Sequence, residues 1–269
     1  MGELEEAKAK AAAAYNAAAD HFDHPVSSFW HRFGRRTIER LGLREGERVL
    51  DVCCGSGGSA LPAAEAVAPQ GKVVAVDLAE RLVGLGEAKA RARGLGNIEF
   101  RAADMLALGY PDASFDVVVC VFGIFFVPDM VAATRELWRM VRPGGRLAIT
   151  TWGPDLFEPG NSAFWDAIQT ERADLVKGFN PWERISTPAS LRDMLGDADI
   201  SGADIVAEAG SHPLDSPDDW WLIAMGSGYR GTLAQLDPAT MARVRDKNLA
   251  SIAECNAITT NVVYAIAAK

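Results

Sequence analysis

A buried-strand pattern that runs straight into a glycine loop leaves few folds open to this chain. Arg48-Val49-Leu50-Asp51-Val52 reads as an apolar strand, and Cys53-Cys54-Gly55-Ser56-Gly57-Gly58 follows as a tight loop. Leu61 to Val67 then reads as a helix ended by Pro69-Gln70-Gly71. The unit repeats. Lys72 to Val76 predicts a strand, Ala79 to Arg93 a helix closed by Gly94, and Asn97 to Arg101 a third strand. Phe115 to Val121 is the next strand, and Asp129 to Val141 the next helix. The turn Arg142-Pro143-Gly144-Gly145 leads into a strand from Arg146 to Trp152. Strands alternating with helices predict an α/β fold, doubly wound around a mainly parallel sheet with right-handed crossovers.

On the N-terminal side, Leu4 to Asp20 is Ala-rich and strongly helical, and Ser27 or Ser28 can cap a second helix that runs to Leu41 and stops at Gly42. Beyond Trp152, helices are predicted over Ser162 to Val176 and Ala189 to Leu195. Strands near Ile205 to Ala209 and Ile258 to Ala267 bring the sheet to seven. Ser216 to Glu254 reads as helical and is too long for an ordinary connection of about 2–6 residues. No internal repeat is visible, and 269 residues fit a single α/β domain. The expected organisation is one domain, 1–269. Residues 1–41 form a helical lid, 48–152 a ligand-binding core, and 153–200 with 216–254 helical insertions over the substrate.

Charge narrows the function classes. With 27 Lys and Arg against 36 Asp and Glu, the net charge of −9 repels a phosphate backbone, so no nucleic-acid partner is expected. The four cysteines, Cys53, Cys54, Cys120 and Cys255, lack disulfide-framework or zinc spacing; no metal site is expected and a reducing cytoplasm fits best. The N-terminal residues lack a signal-peptide pattern, and the longest uncharged apolar run, between Asp116 and Asp129, is too short to span a bilayer, so no membrane partner is expected.

The glycine loop carries the first chemistry. Glycines let a ligand approach the backbone, and the following helix N-terminus favours a carboxylate or phosphate. Gly55-Ser56-Gly57-Gly58-Ser59-Ala60 also matches the dinucleotide pattern G-x-G-x-x-A, which keeps an NAD enzyme open beside a glycine turn that only packs strand on helix. Asp77, about twenty residues beyond the loop, stands where a carboxylate accepts from both ribose hydroxyls. Asp104 and Met105, after the third strand, supply an acceptor and an apolar wall for adenine, or in the case of Asp104 a plain helix cap.

Together these residues resemble the class I S-adenosylmethionine-dependent methyltransferases, whose first strand ends in an acid followed by alternating glycines. Asp51, Gly55 and Gly57 match, and Cys53 replaces the usual first glycine. The resemblance continues through Asp77, Asp104, Phe115-Asp116 and Arg142-Pro143-Gly144-Gly145-Arg146-Leu147, covering roughly Tyr15 to Thr151. Val49-Leu50-Asp51-Val52, Phe122-Gly123 and Val127-Pro128-Asp129 are similar to the ubiquinone and menaquinone biosynthesis methyltransferase group. The N-terminal signature of the quinone enzymes is not reproduced between Tyr15 and Trp30, and the insertion before the last strand is larger.

The resemblance implies S-adenosylmethionine as cofactor, with Asp51 holding the methionine ammonium directly or through water. Cys53, Ser56, the loop glycines, Leu78, Val121 and Phe122 lie along the cofactor, Met105 against its adenine, and Tyr15 and Phe22 over its methionine end. An oxygen or carbon nucleophile needs a base, and His21 or His24 in the lid segment is the candidate, with solvated or capping histidines as the alternative. Phe125, Phe126 and Trp152, expected at the carboxyl edge of the sheet, are candidate walls of an apolar substrate pocket or ordinary core. The expected function is methyl transfer to a small, largely apolar molecule at O, N or C. A cyclisation or rearrangement on the same fold, and a non-catalytic cofactor-binding module, stay open, as does a homodimer.

Overall fold

Each apolar run between residues 48 and 121 becomes a strand within one residue of its expected ends. The structure, a computed structural model, describes residues 2–176 and 180–269. The first four strands are β1 (Arg48–Val52), β2 (Lys72–Asp77), β3 (Ile98–Ala102) and β4 (Phe115–Val121). β5 (Val141–Trp152), β6 (Asp204–Glu208) and β9 (Val262–Ala268) complete a seven-stranded sheet in the order β3-β2-β1-β4-β5-β9-β6. The first five are parallel, and β9 runs antiparallel between β5 and β6. The expected α/β, doubly wound, seven-stranded sheet is therefore present.

Three expectations at element ends are corrected. The Arg142–Gly145 turn is drawn into β5, which starts at Val141 and takes up the extra residues as a register shift opposite Phe115 and Val117. The single last strand from Ile258 is split: β8 (Ala257–Thr259) leaves the main sheet and pairs with β7 (Ser211–Pro213). Ser28 stands at the cap position of the second helix, but its side chain makes no capping bond. The preceding 3₁₀ turn, Pro25–Ser27, is capped instead by His24.

Parallel strands buried on both faces need helices on both sides. Alternate residues face opposite ways: Val49, Val73, Val117 and Ala148 meet one cluster, and Leu50, Val74, Val118 and Leu147 the other. The first cluster is covered by α2 (Phe29–Leu41), α3 (Ala60–Val67) and α4 (Glu80–Ala92). The second is covered by α5 (Met130–Met140), α6 (Gly160–Arg172), α7 (Pro188–Asp197), α8 (Pro217–Met225) and α9 (Arg230–Leu233), and α10 (Pro238–Ser251) adds Val244 to it. The 216–254 insertion is helical as expected; residues 177–179 of the earlier insertion lie outside the described residues. α1 (Glu3–Phe22) has no place in either layer and lies against α4, α8 and α9.

Candidate active site

The loops at the carboxyl ends of β1, β2, β3 and β4 converge, as the topology of an open α/β sheet requires. They line a cavity that opens to solvent on one side. Cys53, Gly55, Gly58 and Ser59 line it from the glycine loop; Asp77 and Leu78 come from the end of β2, Asp104 and Met105 from the turn after β3. Val121, Phe122 and Phe126 complete the β4 side, and Tyr15 and Phe22 cover it from α1. The expected residues Tyr15, Phe22, Cys53, Gly55, Asp77, Leu78, Asp104, Met105, Val121, Phe122 and Phe126 are thus brought to one space.

The loop is held in a form that only glycine adopts freely. Gly55 and Gly57 have φ of 53° and 92°, and Cys53 at 59° occupies the left-handed region with a side chain. Its Sγ lies 3.7 Å from Met105 Sδ. Asp77 accepts from the Gly55 N–H and the Ala79 N–H, each at 2.8 Å, and burial raises its pKa. Asp104 does not cap a helix: its Oδ1 closes a turn by accepting from the Leu106 N–H at 2.9 Å, and its Oδ2 pairs with Lys8 at 2.6 Å.

Asp51 lies beneath the loop rather than on the cavity wall. It is fully buried, with Oδ2 accepting from Ser59 Oγ at 2.6 Å and Oδ1 without a partner. Desolvation, against the Ser59 bond and with help from the nearby Asp77 charge, pushes its pKa up to about 7. Ser56 and Gly57 likewise sit behind the wall. Ser56 Oγ donates to Asp23 at 2.6 Å and accepts from Lys89 at 2.9 Å, while Lys89 and His31 also reach Asp23 at 2.8 and 3.1 Å. Burial works against the Asp23 charge, but these donors outweigh it and hold its pKa at about 2. The group ties the segment after α1 to the loop and to α4.

Several expected residues are placed elsewhere. None of the four histidines lines the cavity. His24 Nδ1 caps the Val26 N–H, and His21 packs its backbone carbonyl against Gly226. Phe125 and Trp152, each 3% exposed, belong to the core; Trp152 stacks on Phe122 at 3.7 Å with the rings 6° from parallel. Of the three candidate substrate aromatics only Phe126 reaches the cavity, at its mouth. Sequence reading missed Leu4, Lys8, Ala11, Ala12, Trp30 and Leu82 on the walls. The first four lie with Tyr15 on one helical stripe, a spacing that was readable.

The profile of the ubiE/COQ5 methyltransferase family matches residues 4–162, more than half of the chain. The chain belongs to this family. It is 39% identical over 142 residues to a demethylmenaquinone methyltransferase of Geobacillus kaustophilus, covering 51% of this chain and 61% of that protein. To the ubiquinone/menaquinone biosynthesis C-methyltransferase UbiE of Cronobacter sakazakii it is 35% identical over 154 residues, 57% of this chain and 60% of the other. It thus spans about three fifths of the length of these curated relatives. A solved SAM dependent methyltransferase from Aquifex aeolicus superposes with a TM-score of 0.56 and 25% identity, over 71% of this chain and 91% of that one. The family match ends within α6, so α7–α10 and β6–β9 lie beyond it. No helix of the described residues is long and apolar enough to cross a membrane.

Proposed function

We propose that the chain binds S-adenosylmethionine in this cavity and transfers its methyl group to a small, largely apolar acceptor. The observation that carries the reading is the cavity itself: Asp77 and Asp104, acids at two strand ends, converge on it beside a glycine loop whose Gly55 and Gly57 are left-handed. Asp51 lies beneath that loop, from where its carboxylate charge favours a methionine ammonium in the cavity without touching it. Asp77 and Asp104 offer carboxylate oxygens for the ribose hydroxyls and the adenine amine, with Met105, Val121 and Phe122 as apolar walls. S-adenosylmethionine, when bound, supplies a methyl group already activated on a sulfonium.

What remains for the chain is alignment and the exclusion of water. α1 serves both, as a lid carrying Tyr15 across the mouth while Lys8 and Asp20 pin it to Asp104 and Arg81. The base assigned to His21 or His24 finds no support in this geometry. Phe126 at the mouth favours an apolar acceptor, and the demethylated quinone named for the relatives is the first to test. The test is formation of S-adenosylhomocysteine together with a methylated product, assayed with a reduced demethylated quinone and with other apolar phenols. Cofactor binding without product from any acceptor class would favour the non-catalytic module.

A further inference from the structure

Three sulfur atoms from the carboxyl ends of three strands gather at the cavity wall. Cys53 Sγ, after β1, lies 3.7 Å from Met105 Sδ, after β3, and both residues line the cavity. Cys120, on β4, is fully buried behind them. A Cβ on Gly123 would fall 2.7 Å from Cys53 Sγ and 3.0 Å from Cys120 Sγ, so glycine at 123 leaves the room in which the two thiols come together. The backbone is bent to bring Cys53 there. Val52 pairs with Cys120 in the parallel register of β1 and β4, and both face the same core cluster. In a regular strand the next residue would face the other way. At φ 59° Cys53 turns back and packs on the cluster of Val52 and Cys120. A side chain in that region carries strain that glycine would avoid, so filling space does not account for a cysteine here.

Thiols and a thioether are soft donors, which select copper(I) and similar ions over hard ones. Among the described residues no three His, Cys, Asp or Glu side chains converge as metal ligands, so the donor set is one of sulfur and not of the zinc type. A hydrogen bond to Cys120, together with burial, raises the Cys53 pKa, and the neighbouring thiols stay neutral until a cation binds between them. We infer that Cys53, Met105 and Cys120 form a three-sulfur site for one soft monovalent metal ion of the copper(I) class, reached through the cavity. Sulfurs that share an ion at about 2.3 Å each lie within about 4.6 Å of one another, a spacing the Cys53 and Met105 sulfurs already have. Their separation along the chain hides the group: positions 53, 105 and 120 meet only through the fold. The inference does not rest on the S-adenosylmethionine reading.

Anaerobic titration of the reduced full chain with copper(I), offered as its bicinchoninate complex, tests it. The protein should take one ion from the chelator. Cys53→Ser and Cys120→Ala should each weaken that hold about a hundredfold or more, and Met105→Leu about tenfold, whereas Cys255→Ser, outside the group, should leave it unchanged. Failure to take copper, or an equal loss in Cys255→Ser, overturns the inference. X-ray absorption at the copper edge needs no variant and decides the matter even where Cys120→Ala fails to fold. Three sulfur neighbours at about 2.3 Å are expected, and any other set of neighbours overturns the assignment.

Discussion

Asp51 links pH to both stability and binding. Its pKa of about 7 in the folded chain stands against 3.8 for an unburied carboxyl, so in the free protein the native state holds a proton that the unfolded state has lost. The stabilisation from that proton is complete below about pH 4, fades as pH rises toward 7, and is gone above it, a total on the order of 4 kcal/mol. Asp51→Asn, which cannot ionise, should therefore gain stability relative to wild type between pH 5 and 8, as read by denaturant titration. Ligand binding runs the other way. An ammonium favours the ionised carboxylate, so wild-type affinity for S-adenosylhomocysteine should rise by up to about tenfold per unit below pH 7 and level off above it. Calorimetry in buffers of different ionisation enthalpy should register the released proton; a pH-independent affinity would remove Asp51 from the site. Asp77→Ala should weaken binding by about 1.5–3 kcal/mol. It also frees the Gly55 and Ala79 N–H groups, so Asp77→Asn, which keeps an acceptor, should lose less in the same titration.

Among the elements, α2 and α1 set the geometry over the loop. Gly34 lies inside α2, where glycine costs helix stability, because a Cβ there would run into the Gly58 carbonyl and lie 2.7 Å from the Ser59 nitrogen. Gly34→Ala should lower the melting temperature and weaken cofactor binding together, since the helix can retreat only by pulling on the loop; a neutral substitution would show that α2 is free to slide. Removing residues up to His24 should nearly abolish turnover and weaken binding, and α1 amides should gain exchange protection when S-adenosylhomocysteine is added. The central strands and the helices before β1 and β3 were legible because β1, β2 and β4 are largely apolar and those helices stop at Gly42 and Gly94. β7 and β8 were not: three residues each carry no period, and their pairing is made by the helical insertion between them. At the site, residues at strand ends could be read from position. The histidines were chosen by residue type, which says nothing about where α1 ends and the 3₁₀ turn sends them.

For the whole molecule, the sheet depends on a strand far from the family match. β9 pairs with β5 from Arg146 to Trp152 and with β6 from Asp204 to Glu208, and Val262, Val263, Tyr264, Ala265 and Ala267 are buried. Deleting residues 262–269 leaves β6 without a neighbour and opens the β5 edge, so the product should lose cooperative thermal unfolding in calorimetry. A sharp transition near the wild-type temperature would mean that the first five strands stand alone.

That arrangement also sets an order of events during synthesis. β1 to β5 emerge from the ribosome consecutively and can pair as they appear, but the outer edge of β5 stays open while more than a hundred further residues are made, and β6 emerges with nothing to join. An unpaired edge of Leu147, Ala148 and Ile149 is a template for other nascent chains. Slow translation of the segment between β5 and β9 should therefore lower the soluble yield of this protein without changing the stability of the molecules that fold.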